Sequence, residues 1–226
     1  MRVLTWNLFH GRSVPPSGRD LSAAFATRLA EWDWDVALLQ EVPPWWPPLL
    51  ARAAEAEARV ALTSRNAGLA IRRALGRRRP DLMKSNAGGS NAVLSRVGIR
   101  EHRAIRLRTR PERRVAQLVR LPSGICVANY HGSARARLAE DELEQLWQRA
   151  LAFAGKAPLI LGGDLNLRSP GAPAPGVAHV ASRDVDHLFA HRLRASRVPY
   201  TPARRLELDG RSVELSDHPP LAVALA

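Results

Sequence analysis

Cysteine is almost absent from this sequence. Its one thiol, Cys126, lies in an apolar run, so the chain has no partner for an internal disulfide and a buried structural thiol is predicted. No apolar segment approaches the roughly 18 residues that a membrane-spanning helix requires. The first strand-like segment begins directly after Met1, without the apolar region of a secretory signal peptide. Together these absences predict a cytoplasmic protein with no membrane span.

Lysine is scarce as well. Only Lys84 and Lys156 are lysines among 34 basic residues, which leaves 32 arginines, and the formal net charge is +13. Clustered cations gain from the release of phosphate counterions, so this charge permits an anionic partner, with nucleic acid as one candidate. A coding sequence rich in G and C would give the same excess of arginine without selection for binding, and net charge locates no site. Both interpretations stay open.

The length and composition favour one domain, residues 1–226, and we expect a monomer. A chain of 226 residues can bury one large core but not two comfortable ones. Its hydrophobic fraction of 46% and charged fraction of 24% are ordinary for a globular protein.

Apolar runs and helical periodicity divide the chain into elements. Strands are predicted at 2–7, 35–41, 99–107, 113–121, 124–130, 157–163, 184–189, 196–200 and 221–225, and a turn followed by a strand at 88–96. Helices are predicted at 20–32, 49–61 and 135–154. Loops are predicted at 13–19, 77–80 and 169–177, and the segment 65–74 is ambiguous. This order indicates mixed sheets with helices on their outer faces rather than a doubly wound parallel sheet.

Polar side chains accumulate where predicted strands end. Asn7 and Glu41 end the first two strands, and Asp164 follows the most apolar strand. Asn166 comes two residues later, so in an extended chain it projects from the same face as Asp164. Carboxylate and amide oxygens suit Mg²⁺ or Mn²⁺, and the sequence has neither the paired cysteines nor the His-x-x-x-His helix that would indicate zinc. The sequence therefore predicts a site for Mg²⁺ (or Mn²⁺).

Seven short motifs follow one another along the chain. They are Leu-Thr-Trp-Asn-Leu at 4–8, Leu-Leu-Gln-Glu-Val at 38–42, Gly-Ser-Asn-Ala-Val-Leu-Ser-Arg at 89–96, Val-Ala-Asn-Tyr-His at 127–131, Leu-Gly-Gly-Asp-Leu-Asn at 161–166, Asp-Val-Asp-His at 184–187 and Ser-Asp-His at 216–218. This ordered set resembles the endonuclease/exonuclease/phosphatase superfamily, with the deoxyribonuclease-I-like fold. The resemblance runs from residue 2 to the C-terminus. It implies an α/β (α+β) four-layer sandwich, in which two mixed, mainly antiparallel sheets pack face to face with helices outside.

The resemblance also implies a role for each matching residue. Residues on the metal side would be Asn7, Glu41 and Asp217. Residues of the catalytic group would be His131, Asp164, Asn166, Asp186 and His218. In these roles Asp164 activates the attacking water, His218 contacts the phosphoryl group with Asp186 as its partner, and the remaining two contact phosphate oxygens. The reaction implied is in-line attack of water on phosphorus.

One departure from the repair branch of the superfamily bears on the substrate. That branch carries an acidic residue two positions after the first-strand asparagine, where this chain has Phe9 followed by His10. Only 19 residues separate Asn166 from Asp186, so a dedicated abasic-site endonuclease is not expected. The leading hypothesis is a metal-dependent phosphodiesterase or nuclease. The alternatives are a phosphatase or phospholipid-type diesterase on a smaller anionic substrate, and a non-catalytic binding module on the same fold.

Overall fold

Two large β-sheets form the centre of the fold. The computed structural model describes residues 1–64, 66–78, 89–171 and 175–226. The first sheet contains β1 (Arg2–Asn7), β3 (Val36–Val42), β4 (Glu57–Leu62), β5 (Ser90–Ser95) and β14 (Leu221–Ala224). Its order is β14-β1-β3-β5-β4, with β1 and β3 parallel and the other neighbours antiparallel.

The second sheet has six strands. They are β6 (Glu101–Arg108), β7 (Arg114–Arg120), β8 (Cys126–His131), β9 (Leu159–Asp164), β10 (Val177–Arg183) and β11 (Asp186–His191). Their order is β10-β11-β9-β8-β7-β6, and only the pair β8 and β9 is parallel among these neighbours. A third, small sheet contains β2 (Ser13–Val14), β12 (Arg205–Leu208) and β13 (Arg211–Leu215).

Helices α1 (Ser22–Glu31), α2 (Pro47–Ala53) and α4 (Ala136–Ala154) cover the outer faces of the two large sheets. A further helix, α3 (Leu69–Arg78), has no buried residue, and a 3-10 turn spans Phe9–Gly11. Residues of α1 and α2 pack on the first sheet, whereas residues of α4 pack on the second. No described helix is long and apolar enough to cross a membrane. The predicted four-layer sandwich is therefore confirmed.

Apolar side chains fill the three spaces between these four layers. Between the sheets, Val3 and Leu38 belong to the same buried cluster as Val127 and Ile160 of the second sheet. Both faces of the central strands are buried, which explains why they are nearly continuous apolar runs in the sequence. Each fully buried side chain of this size contributes roughly 1.5–3 kcal/mol to stability.

Two of the predicted elements are wrong in part. The helix predicted at 49–61 ends at Ala53, because Glu55 adopts φ 52° and residues 57–62 then pair with β5 along the sheet edge. Pairing with β5 thus overrides the local helical pattern. The strand predicted at 196–200 is reduced to an isolated bridge at Tyr200, in a segment where Pro199 lacks a backbone N–H.

Other differences concern the loops. The ambiguous segment is resolved as α3, which begins at Leu69 and includes Arg77 and Arg78 of the predicted basic loop. The last residue of the predicted loop at 169–177 already belongs to β10. Residues 65, 79–80, 88 and 172–174, which also carried predictions, lie outside the described residues. Strand β10 and the hairpin of β12 and β13 were not predicted.

Candidate active site

A cleft of about 340 Å³ opens at one end of the sandwich, between the ends of the two large sheets. Strands β1 and β3 are parallel, as are β8 and β9, so each sheet brings the carboxyl ends of two neighbouring strands to this edge. Seven of the eight predicted site residues line the cleft: Asn7, Glu41, His131, Asp164, Asn166, Asp217 and His218. The eighth, Asp186, lies behind His218 and contacts it.

A buried polar link joins the two sheets below the cleft. Gln40 of the first sheet donates from Nε2 to Oδ1 of Asn129 in the second sheet, at 2.8 Å. Asn129 in turn donates to the carbonyl oxygens of Leu39 and Ala92 and to Oε1 of Gln117. Buried amides that are hydrogen-bonded across a core fix the relative position of the elements that carry them. This link therefore holds the two walls of the cleft in register.

Three adjacent strands of the second sheet bring one candidate site residue each to neighbouring positions. Asp164 is paired with His131 on β8 and with Asp186 on β11. Gly163 makes this close pairing feasible, because a Cβ built there would lie 1.8 Å from the carbonyl oxygen of Tyr130 and its φ is 141°. The two glycines before Asp164 are thus explained by backbone approach rather than by nucleotide binding.

Asp164 is held by hydrogen bonds to both of its oxygens. The amide of Asn7 donates to Oδ2 at 2.8 Å, and the backbone N–H of Asn166 donates to Oδ1 at 2.9 Å. Asn7 is itself oriented, because its Oδ1 accepts the backbone N–H of Phe9. Asn166 donates from its side chain to the carbonyl oxygen of Gly132 at 3.0 Å. Donors on both oxygens fix the orientation of the Asp164 side chain.

His218 forms the second fixed group of the cleft. Its Nδ1 lies 2.8 Å from Oδ2 of Asp186, and its Nε2 lies 3.8 Å from Oδ2 of Asp164. Ser216 anchors the loop by donating to the carbonyl oxygen of Asn7 and accepting the backbone N–H of His218. Burial by itself lowers the pKa of His218, but the Asp186 hydrogen bond and the surrounding carboxylates outweigh it and raise the pKa to about 9. The imidazole is therefore cationic at neutral pH.

Glu41 lies on the opposite wall, at the end of β3, with φ 50°. His10 places Nε2 3.1 Å from Oε2 of Glu41, and His131 places Nε2 3.9 Å from Oε1. Burial, followed by the charges of Asp164 and Asp217, raises the pKa of Glu41 to about 7. The ionised form of this carboxyl group is thus poorly compensated by the protein.

His131 bridges the two walls as a neutral ring. Its Nε2 lies 3.5 Å from Oδ2 of Asp164 and 3.9 Å from Oε1 of Glu41. Burial lowers the pKa of His131 to about 3, and the nearby Asp164 carboxylate does not offset this effect. A neutral imidazole can accept a hydrogen bond or bind a cation through its unprotonated nitrogen.

The wall of the cleft at the end of β3, where Glu41 lies (the Glu41 wall), offers the kind of ligand atoms that a divalent cation binds. In the described part of the chain no arginine or lysine forms an ion pair with Glu41, although its neighbours Asp164 and Asp217 are also acidic. A cation between these groups would remove the unfavourable interaction that raises the Glu41 pKa. A second group, Asp164, Asp186 and His218, also offers ligand atoms within 4.8 Å of one another. Two of its members are already hydrogen-bonded to each other, at 2.8 Å.

Three arginines complete the lining of the cleft: Arg12, Arg113 and Arg114. The guanidinium of Arg12 lies 3.6 Å from the centroid of the Phe9 ring. Arg114 is nearly buried and pairs with Glu112 at 2.8 Å. Most of the 32 arginines therefore lie elsewhere, although the cleft itself carries cations suited to a phosphate group.

A family model described as "Endonuclease/Exonuclease/phosphatase family" matches residues 4–218. The chain belongs to the Endonuclease/Exonuclease/phosphatase family. Membership makes it an enzyme of the phosphoesterase class and confirms the resemblance given by the seven motifs. No curated protein matches the sequence.

Several solved structures share this fold at low sequence identity. An endonuclease/exonuclease/phosphatase from Beutenbergia cavernae is 20% identical, with a TM-score of 0.69, over 100% of this chain and 71% of that one. The mannosyl-6-phosphatase Bt3783 of Bacteroides thetaiotaomicron is 14% identical, with a TM-score of 0.74, over 100% and 99% of the two chains. D. rerio TDP2 in complex with a single-strand DNA product is 16% identical, with a TM-score of 0.69, over 100% and 98%.

One residue that lines the cleft, His10, was not predicted from the sequence as a site residue. His10 was noted only as the residue after Phe9, but the 3-10 turn brings its side chain against Glu41. The signal that could have found it is the glycine at position 11, which marks a tight turn directly after the strand-ending asparagine. His187, in contrast, is a structural histidine, since its Nε2 lies 2.6 Å from the carbonyl oxygen of Leu167.

Proposed function

We propose that the chain is a divalent-cation-dependent phosphodiesterase that hydrolyses its substrate by in-line attack of water on phosphorus. One observation carries this proposal. The wall that carries Glu41 has the chemistry of a cation site, and it faces the cationic His218, which is held by Asp186, across a single cleft. Asp164 lies between these two groups. Phosphoester hydrolysis needs charge stabilisation on both sides of the phosphoryl group and a base for the water.

We assign the cation to the Glu41 wall, with Asn7 and Asp217 as its further residues. The bound Mg²⁺ or Mn²⁺ would supply a positive charge for the phosphoryl oxygens. The alternative group around Asp186 is less suited, because Nδ1 of His218 already contacts that carboxylate. The Glu41 carboxyl also lies near two histidines, but burial and the charges of Asp164 and Asp217 raise its pKa, so its ionised form still lacks compensation.

The remaining residues then have separate tasks. Asp164 accepts a proton from the attacking water, and its two hydrogen-bond donors keep the carboxylate turned toward the cleft. His218, held as a cation by Asp186, donates from Nε2 to a phosphoryl oxygen. Asn166 uses one amide hydrogen for Gly132 and offers the other to a phosphate oxygen, which His131 contacts from the opposite side.

A phosphatase acting on a monoester is the second candidate. The arginines at the rim of the cleft would also balance the additional charge of a monoester dianion, and one of the structures with this fold is a mannosyl-6-phosphatase. A diester is favoured here because another structure with the same fold holds a single-strand DNA product. Membership of an enzyme family argues against the non-catalytic binding module.

Hydrolysis of two chromogenic esters separates these candidates. Bis-p-nitrophenyl phosphate and p-nitrophenyl phosphate are supplied to the protein with Mg²⁺, Mn²⁺ or EDTA. We expect cleavage of the diester that EDTA abolishes, and that is absent in His218→Ala but retained in Asp209→Ala, a change on the exposed surface. Cleavage of the monoester alone would replace the first proposal by the second, and cleavage that persists in EDTA would contradict both.

A further inference from the structure

We propose that His10 is a nitrogen ligand of the cation at Glu41, and that it makes the site prefer first-row transition dications over Mg²⁺. This inference rests on the proposed function, because it assumes the cation assigned to the Glu41 wall. It concerns a residue that the sequence motifs do not include.

A strained turn directs His10 into the cleft. Phe9 and His10 have φ values of 50° and 54°, a conformation that non-glycine residues rarely adopt, and Gly11 follows with φ 80°. A Cβ at Gly11 would lie 2.2 Å from the ring of Trp46, so the turn is pressed against the residue that precedes α2. Each strained residue costs on the order of 1–3 kcal/mol, and such strain tends to persist at functional sites.

The turn is also fixed to the strand that carries Glu41. The backbone N–H of Leu8 donates to the carbonyl oxygen of Gln40 at 2.9 Å, and the N–H of Gly11 donates to Leu8 at 2.8 Å. The side chain of His10 is only 10% exposed and packs on Gly89, where its Cε1 would lie 3.6 Å from an added Cβ. His10 and Glu41 are therefore placed relative to each other by backbone contacts.

The distance between the two side chains fits a shared cation. Nε2 of His10 lies 3.1 Å from Oε2 of Glu41. Ligands at about 2.1 Å from an ion and at right angles to each other are separated by about 3 Å. A direct hydrogen bond would give the same distance without a cation, so a binding measurement has to distinguish the two arrangements.

The chemistry of the added nitrogen determines which ion is favoured. Mg²⁺ prefers oxygen ligands and retains several waters, whereas imidazole suits the later first-row dications. An oxygen-only site on this wall would match Mg²⁺ well. Replacing one oxygen donor by an imidazole moves the preference toward ions such as Co²⁺, which also lies above Mn²⁺ in the general order of affinities.

Binding of Co²⁺ and Mg²⁺ to the full chain, measured by calorimetry, tests this inference. Asparagine and aspartate both tolerate positive φ, so His10→Asn and His10→Asp should preserve the turn. We expect Co²⁺ affinity to fall at least about tenfold in both variants, and Mg²⁺ affinity to be retained or increased in His10→Asp. The visible absorption of bound Co²⁺ should change in the same variants, because a nitrogen donor is lost. His191→Asp, at the other end of the second sheet, is the matched control.

The outcomes separate this inference from the proposed function. Equal Co²⁺ affinity and an unchanged spectrum in wild type and His10→Asn would overturn the role of His10, even if the enzyme cleaves diesters. Cation binding that depends on His10, in a protein that cleaves neither chromogenic ester, would support the ligand and contradict the proposed function. Thermal unfolding of the metal-free variants within a few degrees of wild type excludes a folding defect as the cause.

Discussion

Two glutamates of this molecule, one fully buried and one partly buried, have opposite surroundings. Glu142 on α4 is fully buried, and it accepts hydrogen bonds from Arg108, from the hydroxyl of Tyr130 and from both the backbone and the hydroxyl of Ser133. Glu41 is 22% exposed, and its ion contacts among the described residues are two histidines. The carboxylate of Glu142 is thus satisfied within the fold, whereas that of Glu41 is not.

The partners around each carboxyl group distinguish a structural charge from a functional one. A buried charge with a full set of donors stabilises the arrangement that supplies them, and removing it leaves those donors unpaired. A carboxylate placed among like charges instead has a raised pKa, and a cation bound from solution would stabilise its ionised form.

The largest effect is expected for Glu142→Ala. The change leaves Arg108 and Tyr130 without their shared acceptor, so the free energy of unfolding should fall by about 3–5 kcal/mol, while turnover per folded molecule is unchanged. Urea unfolding measures this effect, with Glu144→Ala on the exposed side of the same helix as the control. A loss below about 1 kcal/mol would show that the network contributes little.

Asp164→Ala and His218→Ala should each lose at least roughly two orders of magnitude in turnover and fold normally. This is the scale expected when a catalytic base or a charge-stabilising donor is removed. Steady-state hydrolysis of the chromogenic diester with saturating cation gives the turnover, and far-ultraviolet circular dichroism checks the fold. Near-normal rates in either variant would count against the assigned roles.

Glu41→Gln should weaken cation binding and yet stabilise the metal-free protein, which is the opposite of the result for Glu142. The folded-state pKa of about 7 lies above the usual value of 4.5, so the folded protein binds more protons and loses stability as pH rises from 4.5 to 7. The amide removes this loss, so at pH 8 unfolding should cost on the order of 2 kcal/mol more than in wild type. A destabilised Glu41→Gln protein would break the comparison.

The smallest effect is a pH dependence of cation affinity. Only the ionised form of Glu41 binds a cation, and its pKa is raised to about 7 by burial and the neighbouring carboxylates. Affinity should therefore weaken by about tenfold for each pH unit below 7 and level off above it. Calorimetry between pH 5.5 and 8.5 measures this slope (a flat profile would contradict the raised pKa), and the slope should be shallower in Glu41→Gln.

The sequence predicted the sandwich and the meeting of the motif residues at one edge of it, but it missed several peripheral elements. Motif residues end buried strands, so their meeting at one edge follows from the sandwich, and Asn7 and Glu41 indeed end neighbouring parallel strands. Strand β4 was missed because its pairing with β5, and not its local pattern, decides its conformation. The hairpin of β12 and β13 was missed although it carries a signal, since Asp209-Gly210 lies between two segments in which apolar and polar residues alternate.

The contacts of His10 and of Glu142 could not be derived from local sequence pattern alone. His10 reaches Glu41 through a left-handed turn, which follows from the contact of Gly11 with Trp46, 35 residues away in the chain. Glu142 does carry a signal, because it falls on the apolar face of α4 with Ala139 and Leu146. Its partners come from other strands, however, and helical periodicity does not name them.

The central claim is that the Glu41 wall holds the cation while Asp164 and His218 face the phosphate. A crystal of the full chain soaked with Mn²⁺ and inorganic phosphate tests it directly, since the anomalous signal of manganese locates the ion. We expect the ion to lie against Glu41, with phosphate oxygens between it and Nε2 of His218. Manganese between Asp186 and His218, with Glu41 unligated, would contradict it.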